Sequence, residues 1–206
     1  MAGHQLSGRE AAERLGVLGI DRESARRALL AGVAGPGRRT RSAILYDEDA
    51  VEELAQSRLA RVDQLFMDEL PVACRSGMVV ARSSPRRPDP GPGRTWKGVD
   101  LAAPREEQLD AARMWFRMSP WTRVLVRHRA QSRGFVPFVL TVSGFVALGA
   151  DVIGVDVDDS RGAALRLNEP SEWFETWRGR RFTTGTGSTW QWWNPDVDPP
   201  ATRIAG

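Results

Sequence analysis

Cysteine is almost missing from this 206-residue chain: Cys74 stands alone, so no internal disulfide framework and no cysteine-based zinc site can form within it. Histidine is nearly as scarce, and His4 and His128 have no partner at metal-ligand spacing. The acidic stretch Asp151, Asp156, Asp158 and Asp159 lacks an EF-hand pattern and reads as a solvated turn. The glycine-containing segments GPGR (91–94) and TGTGS (184–188) lack the lysine and the strand-to-helix setting of a phosphate-binding loop. The amino end, MAGHQLSGRE, has no apolar signal-peptide core. The longest uncharged apolar run, 134–150, contains Pro137, Gly144 and Gly149 and is rich in Val and Phe, which points to buried strands and not to a membrane span. Together these gaps predict a non-enzyme without cofactor or metal, in a reducing cytoplasmic setting with no membrane partner.

Lysine is the other scarce residue. Lys97 is the only one, so 28 of the 29 basic residues are arginines. The formal net charge is +3 and the isoelectric point about 9.9. Arginine makes planar, forked contacts with phosphate and guanine, which suits a nucleic-acid partner. A GC-rich coding genome produces the same bias, so where the arginines lie matters more than how many there are.

Two of the first helices carry clear start and stop signals. Ser7 and Glu10 have capping-box spacing, Ala11, Ala12 and Leu15 form one apolar face, and Gly16 ends the segment. Asp21 caps a second helix in which Ala25, Ala28 and Leu29 repeat at helical spacing before Gly32. A β-hairpin with a basic tip is expected between Val33 and Tyr46. Asp47 caps a third helix whose apolar stripe, Val51, Leu54, Ala55, Leu59, Val62, Leu65 and Phe66, predicts a run to about Leu70. That stripe suits core packing or pairing with a second copy.

Beyond it, Val72–Arg82 reads as a strand and 83–98 as an exposed Pro/Gly/Arg-rich loop. Pro104–Arg117 and Pro120–Arg129 read as helices, and three or four strands follow between Phe135 and Leu167. Ser171 caps a short helix carrying Trp173, Phe174 and Trp177. The expected class is α+β, with residues 1–70 as an N-terminal module and 71–206 as a second domain built on a mainly antiparallel sheet.

Over Leu6–Ala55 the segments LSGREAAERLG, IDRESARRALLAG and ILYDEDAVEELA resemble the excisionase and MerR-like family of winged helix-turn-helix domains. Val17, Leu18 and Gly19 lengthen the turn relative to that family. The resemblance implies a second helix that enters the DNA major groove and a hairpin wing that contacts the backbone or minor groove.

The residues point the same way without it. From Arg22 to Arg41 there are six arginines and one acid, Glu23, whereas Asp47–Glu53 holds five acids and no base. Arg22 and Arg26, four apart and expected opposite the apolar face, suit base edges, and Ser24 suits a phosphate or base. Arg27 has two readings: a DNA contact, or an i,i+4 ion pair with Glu23. Arg38, Arg39 and Arg41 on the hairpin suit phosphates or a narrow groove. Trp190, Trp192 and Trp193 either cover the apolar face of the sheet or offer a ligand or partner surface.

The function expected is site-specific binding of double-stranded DNA by a transcriptional regulator, a repressor acting as a dimer or cooperative oligomer. An excisionase-like or partition-type architectural protein is the alternative within that class. An enzyme targeted to DNA by its N-terminal module is the alternative outside it. Cys74 and His128 are expected in the core and at the surface, respectively.

Overall fold

A computed structural model describes residues 4–60, 69–89, 93–158, 162–182 and 189–194. Strand β1 (Gln5–Ser7) runs directly into helix α1 (Gly8–Leu15). The predicted capping box is present: Glu10 N–H donates to Ser7 Oγ at 3.3 Å, and Ser7 N–H donates to the Glu10 carboxylate at 2.8 Å. A 3₁₀ turn (Gly16–Leu18) leads to helix α2 (Arg22–Leu30), capped by Asp21, which accepts from Ser24 N–H at 2.9 Å.

Strands β2 (Arg38–Arg39) and β3 (Ile44–Asp47) form the expected hairpin, with β3 between β2 and β1. Gly37 is required at its base, because a Cβ there would lie 2.4 Å from Ile44 and 2.9 Å from Tyr46. Helix α3 (Glu48–Ala55), capped by Asp47, closes this part of the chain. The apolar faces of α1, α2 and α3 meet in one core with Leu6 and Tyr46.

The third helix is shorter than its apolar stripe predicts. It ends at Ala55, and Arg58–Leu59 form strand β4. Arg58 N–H donates to Gly179 O at 3.2 Å and Ala60 N–H to Arg181 O at 2.7 Å, so sheet pairing with a distant strand overrides the local helical pattern. Val62, Leu65 and Phe66 lie outside the described residues.

The remaining elements are α4 (Val72–Arg75), β5 (Met78–Ser83), β6 (Arg87–Pro88), β7 (Trp96–Lys97), α5 (Arg105–Ala112), α6 (Pro120–Arg133), β8 (Val136–Val142), β9 (Phe145–Asp158) and β10 (Gly162–Asn168). A 3₁₀ helix (Glu172–Trp177), β11 (Arg180–Arg181) and β12 (Trp190–Trp193) follow. The larger sheet has the order β12-β5-β8-β9-β11-β4, and β10 pairs with β9. It is mainly antiparallel, with parallel pairs at β5–β8 and β11–β4, and the class is α+β.

Every residue of β8 is buried because both faces are covered. Val136, Phe138, Leu140 and Val142 face the core beneath α6, and Val139 faces Trp173, Phe174 and Trp177. Gly149 lets the second cover approach, since a Cβ there would stand 2.2 Å from the Phe174 ring. Asp151 is not in a solvated turn. It is buried in β9 and accepts from Ser171 N–H at 3.1 Å, from the Ser171 hydroxyl and from Trp173 Nε1–H at 2.6 Å, so the Ser171 side chain serves Asp151 instead of capping the helix. Asp159 lies outside the described residues.

Three further expectations need correction. Cys74 is buried, as expected, but in the short helix α4 and not in a strand. The chain after Ala112 is extended, because Phe116 and Ala163 exchange two 2.8 Å backbone hydrogen bonds. The described part of 83–98, residues 83–89 and 93–98, is a pinned ribbon with β6 and β7: Trp96 is buried, and the Arg94 side chain is only 8% exposed in its ion pair with Asp89.

The two parts of the chain interlock. Phe145 of β9 lies in the core of the N-terminal helices, Ala31 lies in the core of the larger sheet, and Leu101 N–H donates to Ala31 O at 3.0 Å. The crossing into the second sheet occurs after Ser57, well before residue 70.

Candidate nucleic-acid interface

The site begins with how α2 is seated. Ala25, Ala28 and Leu29 are buried, and the arginines leave the helix on either side of that buried stripe. Arg22 and Arg26 line a groove of about 660 Å³ between α1, α2 and β3, whose floor includes Leu29 and Tyr46. They therefore flank the apolar face and do not lie opposite it. Ser24 and Arg27 open instead onto a second cleft, on the side of the larger sheet.

Tyr46 joins the helix to the hairpin. Its ring is buried in the N-terminal core, and burial pushes the phenol above its usual range, while the charges of Arg26 and Arg39 act on it in the opposite sense. The charges of one α2 side chain and one β2 side chain thus both act on this phenol. Arg22, Arg26, Arg38, Arg39 and Arg41 are all exposed. Of these, only Arg26 comes within ion-pair distance of a carboxylate among the described residues, Glu23 at 3.9 Å.

The other two predicted residues are already engaged. The Ser24 hydroxyl donates to Asp21 at 2.7 Å, as part of the helix cap. Arg27 Nε donates to Glu23 at 3.2 Å, the i,i+4 pair that the spacing allowed. Both groups are exposed enough for the pair to be worth little against a phosphate.

Two of the four acids of α3 are paired on the side of α1. Glu48 and Glu52 pair with Arg14 of α1, and Glu48 also meets His4 at 2.9 Å. The residues that lengthen the turn after α1 have a structural role: the Leu18 carbonyl accepts from Arg181 at 3.0 Å, tying the turn to β11.

No family model matches the chain, and neither a curated protein nor a solved structure matches it.

Of the two readings of Trp190, Trp192 and Trp193, the structure shows packing on the sheet: Trp193 is buried, and Trp190 and Trp192 are half-buried against its core. All three lie in strand β12, paired with β5. Trp193 is buried edge-on to Trp177, Trp192 lies under the Arg129 guanidinium, and Trp190 Nε1–H donates to Arg117 O at 3.0 Å. Among the described residues no group of His, Cys, Asp and Glu could hold a metal ion, and no helix is long and apolar enough to cross a membrane.

Sequence reading missed Tyr46 as part of the floor of the groove. It also missed Arg82, Arg87, Arg94 and Lys97, which the fold gathers in the second cleft beside Arg27. These four lie close together in sequence, but nothing local shows that they face Arg27, more than fifty residues earlier.

Proposed function

We propose that the chain binds double-stranded DNA through α2 and the β2–β3 hairpin, in the manner implied by its resemblance to excisionase and MerR-like domains. The groove that Arg22 and Arg26 share with Ile44 and Tyr46 of β3, the strand whose hairpin partner β2 carries Arg38 and Arg39, supports this reading most directly. Two acids of α3, Glu48 and Glu52, are meanwhile paired with Arg14 and His4, which favours the basic elements as the face that meets DNA. In this arrangement Arg22 and Arg26 meet base edges, and Arg38, Arg39 and Arg41 meet phosphates.

A module this small makes few base contacts, so useful selectivity calls for two copies on neighbouring half-sites. The role that follows is a cytoplasmic transcriptional regulator, a repressor acting as a dimer. Binding of the full chain to genomic fragments, followed by sequencing of those retained, tests the reading and yields the site. Absence of affinity for any duplex in dilute buffer would end it.

A further inference from the structure

The second cleft lies between α2, the carboxyl end of β5, the β6–β7 ribbon, the segment after α5 and the Ser143–Gly144 turn that joins β8 to β9. Its volume is about 540 Å³, within the range of small-molecule sites. Five cationic side chains line it, Arg27, Arg82, Arg87, Arg94 and Lys97, and no carboxylate does. Hydroxyls from Ser83, Ser84, Ser143 and Thr189 stand among them.

The neighbouring acids cancel only part of that charge. Asp89 takes Arg94 at 2.7 Å and Lys97 at 3.3 Å, and Glu23 takes Arg27 at 3.2 Å. Arg87 is exposed and has no ion pair among the described residues. The floor is of a different character: Ala112, Met114, Phe116 and Leu140 are buried apolar residues, and half-buried Trp115 adds an aromatic ring.

The wall is rigid. The Arg94 guanidinium donates to Asp89, to Ala111 O at 2.7 Å and to Met114 O, and Arg113 donates to Gly93 O at 2.9 Å. The ribbon that carries Arg87 and Lys97 is therefore fastened to the end of α5, which positions its backbone before any ligand arrives.

We propose that this cleft binds a multiply charged organic phosphate with an aromatic body, of the nucleoside di- or triphosphate class. A rim of arginines with one lysine matches phosphate oxygens, bidentately where arginine is the donor. The apolar floor and Trp115 match a planar base. A phosphate on the DNA backbone is the other source of the same anion, but it has no use for a concave apolar floor. The assignment does not depend on DNA binding by α2 and the hairpin.

The test is calorimetric titration of the full chain with ATP, and separately with inorganic pyrophosphate, at moderate salt. ATP is expected to bind at one site per chain and about tenfold or more tighter than pyrophosphate, the apolar floor accounting for the difference. Arg87→Glu is expected to weaken ATP about tenfold or more without lowering the melting temperature, since that side chain has no ion pair to lose. Arg38→Glu, on the hairpin, is expected to leave ATP binding unchanged. Absence of ATP binding at millimolar concentration, equal affinity for pyrophosphate, or equal loss from both variants would overturn the proposal. So would complete displacement of ATP by a saturating duplex together with equal weakening of ATP and duplex by Arg87→Glu, which would give the cleft to the DNA backbone.

Discussion

The guanidinium of Arg181 donates a 3.0 Å hydrogen bond to the backbone carbonyl of Leu18, 163 residues earlier in the chain. Phe145, which pairs with Arg181 across the sheet, fills the core of the N-terminal helices. The basic helix and hairpin are thus mounted on the larger sheet and are not tethered by a free linker. Phe145→Ala should cost about 3–5 kcal/mol, the range for emptying a buried aromatic site. A single denaturant transition at a lower midpoint, followed by both far-ultraviolet circular dichroism and tryptophan fluorescence, is the expected outcome. Two separated transitions would show that the parts fold independently.

On the DNA side, Arg26→Ala should cost roughly 1–3 kcal/mol on the selected site and little on a scrambled duplex. The Arg38→Ala, Arg39→Ala double variant should weaken both duplexes alike and reduce the slope of log K against log salt by about two. Fluorescence anisotropy titrations across a salt series separate the two outcomes. Equal loss on both duplexes from Arg26→Ala would remove it from base readout.

Asp89 ties the cleft wall to acid stability. The hydrogen bond from Arg94, burial working against it, and then Lys97 hold its carboxyl below the usual range. A carboxyl whose folded value is depressed contributes stability above its unfolded value, and the contribution is lost as pH falls through the folded value. Asp89→Asn should therefore lower the urea midpoint at neutral pH, and the gap from the parent protein should close below about pH 4. A gap that stays constant with pH would mean that the carboxylate charge is not what fastens the ribbon.

Cys74 should be inert in the folded protein. Burial pushes its thiol up to about 12, against a smaller opposing hydrogen bond from Trp177. Ellman's reagent at pH 8 should react with one thiol per chain in denaturant and with almost none under native conditions. Rapid native reaction would place the thiol at the surface.

Much of this architecture was written locally. Ser7 with Glu10, Asp21 and Asp47 mark helix starts by the backbone N–H groups that they satisfy, and α1, α2 and α3 begin where those signals put them. The uncharged Val- and Phe-rich run became β8 and the start of β9 because a strand covered on both faces needs no polar alternation. Where the readings failed, a distant partner decided. Residues 58–60 left the helical pattern for β11, and the 114–116 segment left it for β10. The split of the α2 arginines between two hollows was hidden for the same reason: Arg27 faces a cleft whose other cations are more than fifty residues away. The pairing of the β12 tryptophans with β5 was hidden likewise, because that partner lies about 110 residues upstream.

Phe145 also sets a timetable for synthesis. The amino-terminal helices emerge from the ribosome with a hole in their centre, because the ring that fills it is encoded some ninety positions after α3 ends. At ordinary translation rates that gap lasts on the order of ten seconds. Throughout it the basic elements are made but unsupported, so a nascent chain acquires its finished cationic surface only once most of the polypeptide exists.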